Sequence, residues 1–418
     1  MTRLIWLGTI LLLLTSCHQT DNQQAETFRQ TQQELTRKLT IVSKTVGVKG
    51  FGVALVNDQR VLYQNGFGVA SSETNQRYHQ NTIQNIASVS KTLIGIALLK
   101  AQELGKLKLD DPINKYLPFP VINPYYPATP ITIRQLATHT SSINDTQYYL
   151  TKTIVLKDTI NLSQNLKLDI SPTKFNPPSA KIPIEEFLNN ILNKKGKWYL
   201  KDGFLNHKPG AIFNYSNVGA TLTALVIEKA TGISYDQFTT TFILKPLKMT
   251  ASGWHFNAID LSNYTHTFQN KTTPYPYYSL NTYPDGGLLT SSRDMSKYIL
   301  ELMKGYFEHG SLLSKESYKE YFRPQLNEEN FLDRSVGEYS DEYNMGITIG
   351  FGSTGNFGHT GGDPGVSSGI WFFKNKKMGR YLIVNTDWDP KTIGKDQIAI
   401  YSLLEEYFAK LDQLSHLK

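Results

Sequence analysis

Residues Asn85-Ile86-Ala87-Ser88-Val89-Ser90-Lys91-Thr92, continuing through Leu93 to Leu99 and closing near Glu103-Leu104-Gly105, decide how the rest of the chain is read. Val89, Leu93, Ile94, Ile96, Ala97, Leu98 and Leu99 surround most of a helical circumference instead of one stripe, which predicts a helix buried inside the protein. Ser88 and Lys91 stand three apart at its start, so both side chains share a face and reach each other. A serine hydroxyl becomes a nucleophile when a neighbouring base takes its proton, and Lys91 is the candidate base. Burial and the positive end of the helix dipole both disfavour an ammonium, so a lysine of lowered pKa is expected. The free N–H groups of the same first turn can receive an oxyanion. The pattern is short, and Ser171-Pro172-Thr173-Lys174 repeats it in a polar stretch with no buried helix behind it.

Upstream, Gly52 to Val56 and Arg60 to Gln64 flank Asn57-Asp58-Gln59, which reads as two strands and a turn, with Phe67 to Ala70 prolonging the second. Before them, Phe28, Leu35, Leu39 and Val42 recur at helical intervals over residues 27–46. Downstream, Leu107 to Pro118 suits a turn and a short capped helix, and a helix from Thr132 ends near His139, a residue better placed to anchor a loop than to do chemistry. Residues 144–209 are polar, with one clear helix at Ile184 to Asn193, and read as a variable cap over a cleft. Tyr215 and Asn217 lie on a loop just before an apolar helix, Ala220 to Lys229, that stops at Thr231-Gly232. Residues 235–249 give a further helix and turn, and Tyr283 to Asp294 turns at its glycines before a helix from Met295 to Phe307. Tyr275, Tyr277 and Tyr278, set among prolines, read as a solvent-facing loop packed on its own rings. Strands return at Met345 to Phe351, Val366 to Phe373 and Arg380 to Asn385, with Lys374 to Gly379 as a hairpin turn and residues 393–410 as a last helix. Strands at both chain ends with helices between them predict an α/β (α+β) fold: one antiparallel sheet built from both ends, flanked by helices, with a mostly helical region inserted.

The chain has 418 residues, 40% hydrophobic and 19% charged, ample for a large core. Residues 1–17 read as an export signal: Arg3, an apolar run from Leu4 to Leu14, then Thr15-Ser16-Cys17. The run is shorter than the ~20 residues of a membrane-spanning helix. Cys17 is the only cysteine, so no disulfide forms within the chain, and Leu14-Thr15-Ser16-Cys17 resembles the bacterial lipobox, which implies lipidation at Cys17 and a cell-envelope location. Residues 18–26 would be a tether and 27–413 a single domain, with a sheet region at 27–86 and 335–413 and a helical region at 87–334. The net charge of +7 is spread along the chain, and no basic block points to nucleic acid.

Ser88-Val89-Ser90-Lys91, Tyr215-Ser216-Asn217 and His359-Thr360-Gly361, in that order, resemble the serine β-lactamase and penicillin-binding superfamily, in its class C β-lactamase and D-alanyl-D-alanine carboxypeptidase branch. Supporting phrases are Leu109-Asp110-Asp111-Pro112, Leu136 to Ser142, Lys208-Pro209-Gly210, Pro246 to Met249 and Gly358 to Ser368, so the likeness runs from about residue 45 to 410. The resemblance implies Ser88 as acylated nucleophile, Lys91 as its base and Tyr215 as proton shuttle. It implies Asn217, His359, Thr360 and Gly361 as substrate-binding, Thr360 reaching a substrate carboxylate, and the backbone N–H groups of Ser88 and Gly362 as oxyanion hole, with no cofactor and no metal. Two positions depart from the pattern. His359 stands where class C β-lactamases have lysine, and Ser142 where glycine is frequent.

Three readings follow. The first is a serine hydrolase acting on an amide or ester, either a D-amino-acid peptide or a small ester. The second is a β-lactamase, disfavoured by the loss of a fixed cation at His359. The third is a catalytically silent penicillin-binding or sensing lipoprotein.

Overall fold

The computed structural model describes residues 5–71, 73–159, 174–332, 346–347 and 356–416, with the side chains of residues 5–22 outside the described part. The central sheet is antiparallel with strand order β3-β2-β1-β10-β9-β8. β1 (Gly50–Val56), β2 (Val61–Ser71) and β3 (Gln76–Arg77) come from the front of the chain. β8 (Asn356–Asp363), β9 (Val366–Phe373) and β10 (Met378–Val384) come from the end. The two halves join where β1 pairs with β10, from Phe51 opposite Val384 to Val56 opposite Gly379. The helices and two small sheets lie between them: β4 (Ile83–Asn85) with β7 (Leu289–Ser291), and β5 (Ile154–Leu156) with β6 (Tyr278–Leu280).

Alternation along β1 serves two cores. Phe51, Val53 and Leu55 face a layer made by helix α1 (Ile5–Thr45) and the last helix, Ile393–His416, through Leu35, Leu39, Tyr407 and Leu411. Ala54 and Val56 face the larger core. That core is centred on helix α2 (Lys91–Glu103) and the helices Asn217–Thr231 and Ser292–Tyr306. Ten of the residues of α2 are buried, which is what its all-round apolar sequence requires.

Several segments differ from expectation. α1 runs through residues 18–26, read above as a tether; polar residues form a helix when neighbours one turn apart bond, as Gln30 does to Glu26. Tyr275 and Tyr278 are 4% and 5% exposed, not solvent-facing. They close a small core with Phe175, Ile154, Leu156 and Leu280 over β5, a strand of three residues that was too short to read. The strand expected at Met345 to Phe351 lies outside the described residues apart from Gly346 and Ile347. The Ser171–Lys174 repeat likewise lies outside them except Lys174. Ser142 takes a left-handed backbone conformation (φ 63), which accounts for a glycine being the easier residue there. Among the described residues no helix is long and apolar enough to cross a membrane.

Candidate active site

Ser88 lies in a tight turn, Ala87–Ser90, that leads directly into α2. Ala87 before it adopts φ 47, a conformation disfavoured for a residue with a β-carbon. Ala87, Val89 and Ser90 are buried, whereas Ser88 borders a cavity of about 600 Å³. The Ser90 hydroxyl accepts the Leu288 N–H at 3.2 Å, and the Ser368 hydroxyl donates to the Ile86 carbonyl at 2.6 Å, so the turn is held from both sides.

Lys91 is 0% exposed. Its Nζ donates to Ser88 Oγ at 2.9 Å and to the Asp285 carbonyl at 2.6 Å. The Tyr215 hydroxyl bonds the same ammonium, and the Tyr215 ring centroid is 5.1 Å from Nζ. The expectation of a lowered lysine pKa is corrected here. Burial does disfavour the ammonium, but Tyr215, Asp285 and Asp145 outweigh it and hold the pKa above the ordinary lysine value.

Tyr215 is positioned by His139, whose ring lies 4.5 Å from its own, centroid to centroid. His139 Nδ1 accepts the Ser216 N–H at 3.2 Å and its carbonyl accepts the Asn214 N–H at 2.7 Å. Burial, then the charge of Lys91, push its pKa down to about 3, so it stays neutral and serves as an anchor for the loop.

Asp145 is a site residue that the sequence reading missed. One carboxylate oxygen accepts the Ser216 hydroxyl at 2.9 Å and the Val218 N–H at 3.0 Å; the other accepts the Asn217 N–H at 2.9 Å and Asn217 Nδ2 at 2.8 Å. It thus closes the free N–H groups at the start of helix Asn217–Thr231 and fixes Asn217, which borders the Ser88 cavity. Nothing in the neighbouring residues Asn144 and Thr146 signals this, because its partners are about 70 positions away.

The third motif lies on β8. His359 is buried with its ring 6.2 Å from that of Tyr215, and burial and then Lys91 push its pKa down to about 3. The position of the expected cation is therefore held by a neutral ring. A β-carbon on Gly361 would stand 2.6 Å from the Ile86 carbonyl and 2.9 Å from Ser88 N, so glycine is what lets β8 lie against the Ser88 turn. Gly362 borders the Ser88 cavity, and open space surrounds the place of its missing β-carbon. Thr360 is exposed and lines a second cavity of about 210 Å³ with Trp371, Arg380 and Tyr401 instead of the cavity of Ser88. Cys17 has its side chain outside the described part.

Two aspartates on the cavity wall carry raised pKa values. Burial pushes Asp285 up to about 6, against the pull of Lys91. Burial and then the charge of Asp285 push Asp363 up to about 8. The folded protein therefore keeps protons that the unfolded chain gives up near pH 4, and stability falls as pH rises through that window to about 8. Melting temperatures across this range are expected to decline with rising pH in the wild type, and less steeply in Asp363→Asn.

The beta-lactamase family model matches residues 39–403. Protein flp of Staphylococcus aureus (strain MRSA252) is 27% identical over 256 residues, 60% of this chain and 45% of flp, so the match spans about half of that relative's length. The putative penicillin-binding protein PbpX of Bacillus subtilis (strain 168) is 26% identical over 381 residues, 88% of this chain and 78% of PbpX. Among solved structures, a beta-lactamase/D-alanine carboxypeptidase from Yersinia pestis superposes with a TM-score of 0.62 at 18% identity, covering 91% of this chain and 98% of that one. With a family match over most of the chain, and a serine, lysine and tyrosine joined at one ammonium, the chain belongs to the beta-lactamase family of the penicillin-binding serine hydrolase superfamily.

Proposed function

We propose that the protein is a serine hydrolase that forms an acyl-enzyme at Ser88 and cleaves an amide or ester, either a D-amino-acid peptide or a small ester. The observation that carries this reading is the one ammonium, that of Lys91, bonded to both Ser88 Oγ and the Tyr215 hydroxyl beside an open cavity. Ser88 Oγ attacks the carbonyl carbon, a C–O bond forms, and the hydroxyl proton leaves to the Lys91–Tyr215 pair, which acts as a unit. The oxygens around Lys91 hold its pKa above the ordinary lysine value and so favour its charged form. Collapse of the tetrahedral intermediate returns that proton to the leaving amine or alkoxide, and water later releases the acyl group by the same route. The N–H groups of Ser88 and Gly362 receive the oxyanion, each such donor contributing about 2.7–4 kcal/mol.

A neutral His359 offers no fixed charge to a substrate carboxylate, which favours an ester or amide lacking that group over β-lactam hydrolysis. Intact-mass analysis after exposure to a fluorophosphonate probe is expected to show one adduct per chain, absent from Ser88→Ala with an unchanged circular dichroism spectrum. Wild-type protein left unlabelled by excess probe overturns the proposal. Turnover of p-nitrophenyl esters and D-Ala-D-Ala peptides above that of nitrocefin is expected; nitrocefin as the best substrate would make the protein a β-lactamase, and acylation without turnover a binding protein.

The same reading extends to location. Cys17 carries a lipid that holds the domain at an envelope membrane, a reading supported by the lipobox-like Leu14 to Cys17. Cys17→Ser is expected to move the protein from the membrane to the soluble fraction; retention in the membrane fraction would refute the anchor.

A further inference from the structure

Two cavities adjoin beside the reacting serine. The first, about 600 Å³, is bordered by Ser88 and has apolar walls at Leu150, Ile154, Leu280, Val366, Trp388 and Ile393. The second, about 210 Å³, lies between the sheet and the last helix, with Trp371 and Leu382 on the sheet side and Gln397 and Tyr401 on the helix side. That is more room than the ~150 Å³ of a protein cavity able to hold a benzene-sized guest. Among the described lining residues only Ser367 and Trp388 border both spaces, so these two form the wall between them. Ser367 is short and belongs to β9, where it stands opposite Gly362 on one side and Val384 on the other. The bulk of the wall is therefore the Trp388 indole.

That indole has a fixed place. Trp388 is 9% exposed and packs into the core formed with α1 and the last helix. Its Nε1–H donates to Asp396 Oδ2 at 3.2 Å, and the same oxygen accepts the Gly47 N–H at 2.8 Å. A ring that is buried on its faces and bonded through its one polar atom acts as a partition and not as a lid.

We propose that Trp388 sets the size of the acyl group that Ser88 can carry, by walling off the second cavity, so that the substrates have short acyl chains. This rests on the acyl-enzyme reading above and narrows it. The acyl part is the one concerned because it stays bonded to Ser88 until water arrives, whereas the leaving group departs. A chain lying along the apolar side chains of the first cavity gains with each methylene it buries, and the gain stops where the indole stands.

Hydrolysis of p-nitrophenyl butanoate and octanoate tests the proposal. In Trp388→Leu and Trp388→Ala the octanoate-to-butanoate ratio of kcat/KM is expected to rise at least ~10-fold over wild type, the gain from newly burying about two methylene groups. Adding Gln397→Phe to Trp388→Leu refills the second cavity and is expected to cancel most of that rise. Circular dichroism separates a lost fold from an altered wall, and leucine keeps part of the packing that alanine gives up. A ratio within ~3-fold of wild type in the folded variants, or a double variant as permissive as the single one, overturns the proposal. Calorimetric titration of the Ser88→Ala forms of the same proteins with butanamide and octanamide keeps the two readings apart. The size effect in binding without turnover in the parent proteins refutes only the hydrolase, and turnover without the size effect refutes only the partition.

Discussion

Replacing Lys91 by methionine is expected to slow acylation by an activated ester roughly 10²–10⁴-fold, the usual range for loss of a positioned acid–base group. Methionine fills much of the same buried volume, so the loss is chemical before it is structural. Three bonds disappear together: those to Ser88 Oγ, to the Asp285 carbonyl and to the Tyr215 hydroxyl. Without the ammonium, the pair that takes the Ser88 proton is broken. Single-turnover rates of acylation in wild type and Lys91→Met would measure it. A variant within about threefold of wild type would mean that Lys91 only supports the turn.

The second large effect is expected away from the reacting atoms. Asp145→Ala removes the acceptor for four donors at the start of helix Asn217–Thr231. Those donors sit on the half-buried rim of the site, and leaving them unpaired is expected to destabilise the fold by about 2–4 kcal/mol. Urea denaturation would measure it as a lower midpoint at unchanged slope. Activity should fall as well, because Asn217 loses its Nδ2 anchor and the Tyr215 loop its downstream hold. Loss of less than ~1 kcal/mol would show that water replaces the carboxylate.

These two residues mark where the chain is legible and where it is not. Lys91 is readable because its partner Ser88 is one helical turn away and the helix is apolar all round, so local spacing carries the contact. Its charge state was misread, because the groups that reverse the effect of burial come from positions 145, 215 and 285. Asp145 lacks any local signal, being one polar residue in a polar loop. The sheet built from both ends was legible through strand-length apolar runs at residues 52–70 and 366–385. The burial of Tyr275 and Tyr278 was not, since their partner β5 spans three residues and prolines disguised the segment as loop. Thr360 lines a different cavity from Ser88, with Trp371, Arg380 and Tyr401.

The most direct test is where a covalent probe lands. After fluorophosphonate treatment and digestion, tandem mass spectrometry is expected to place the whole adduct on Ser88, with none on Ser90, two residues along the same turn, or on Ser171 of the repeated Ser-x-x-Lys. An adduct on either of those serines, with Ser88 unmodified, would contradict the account.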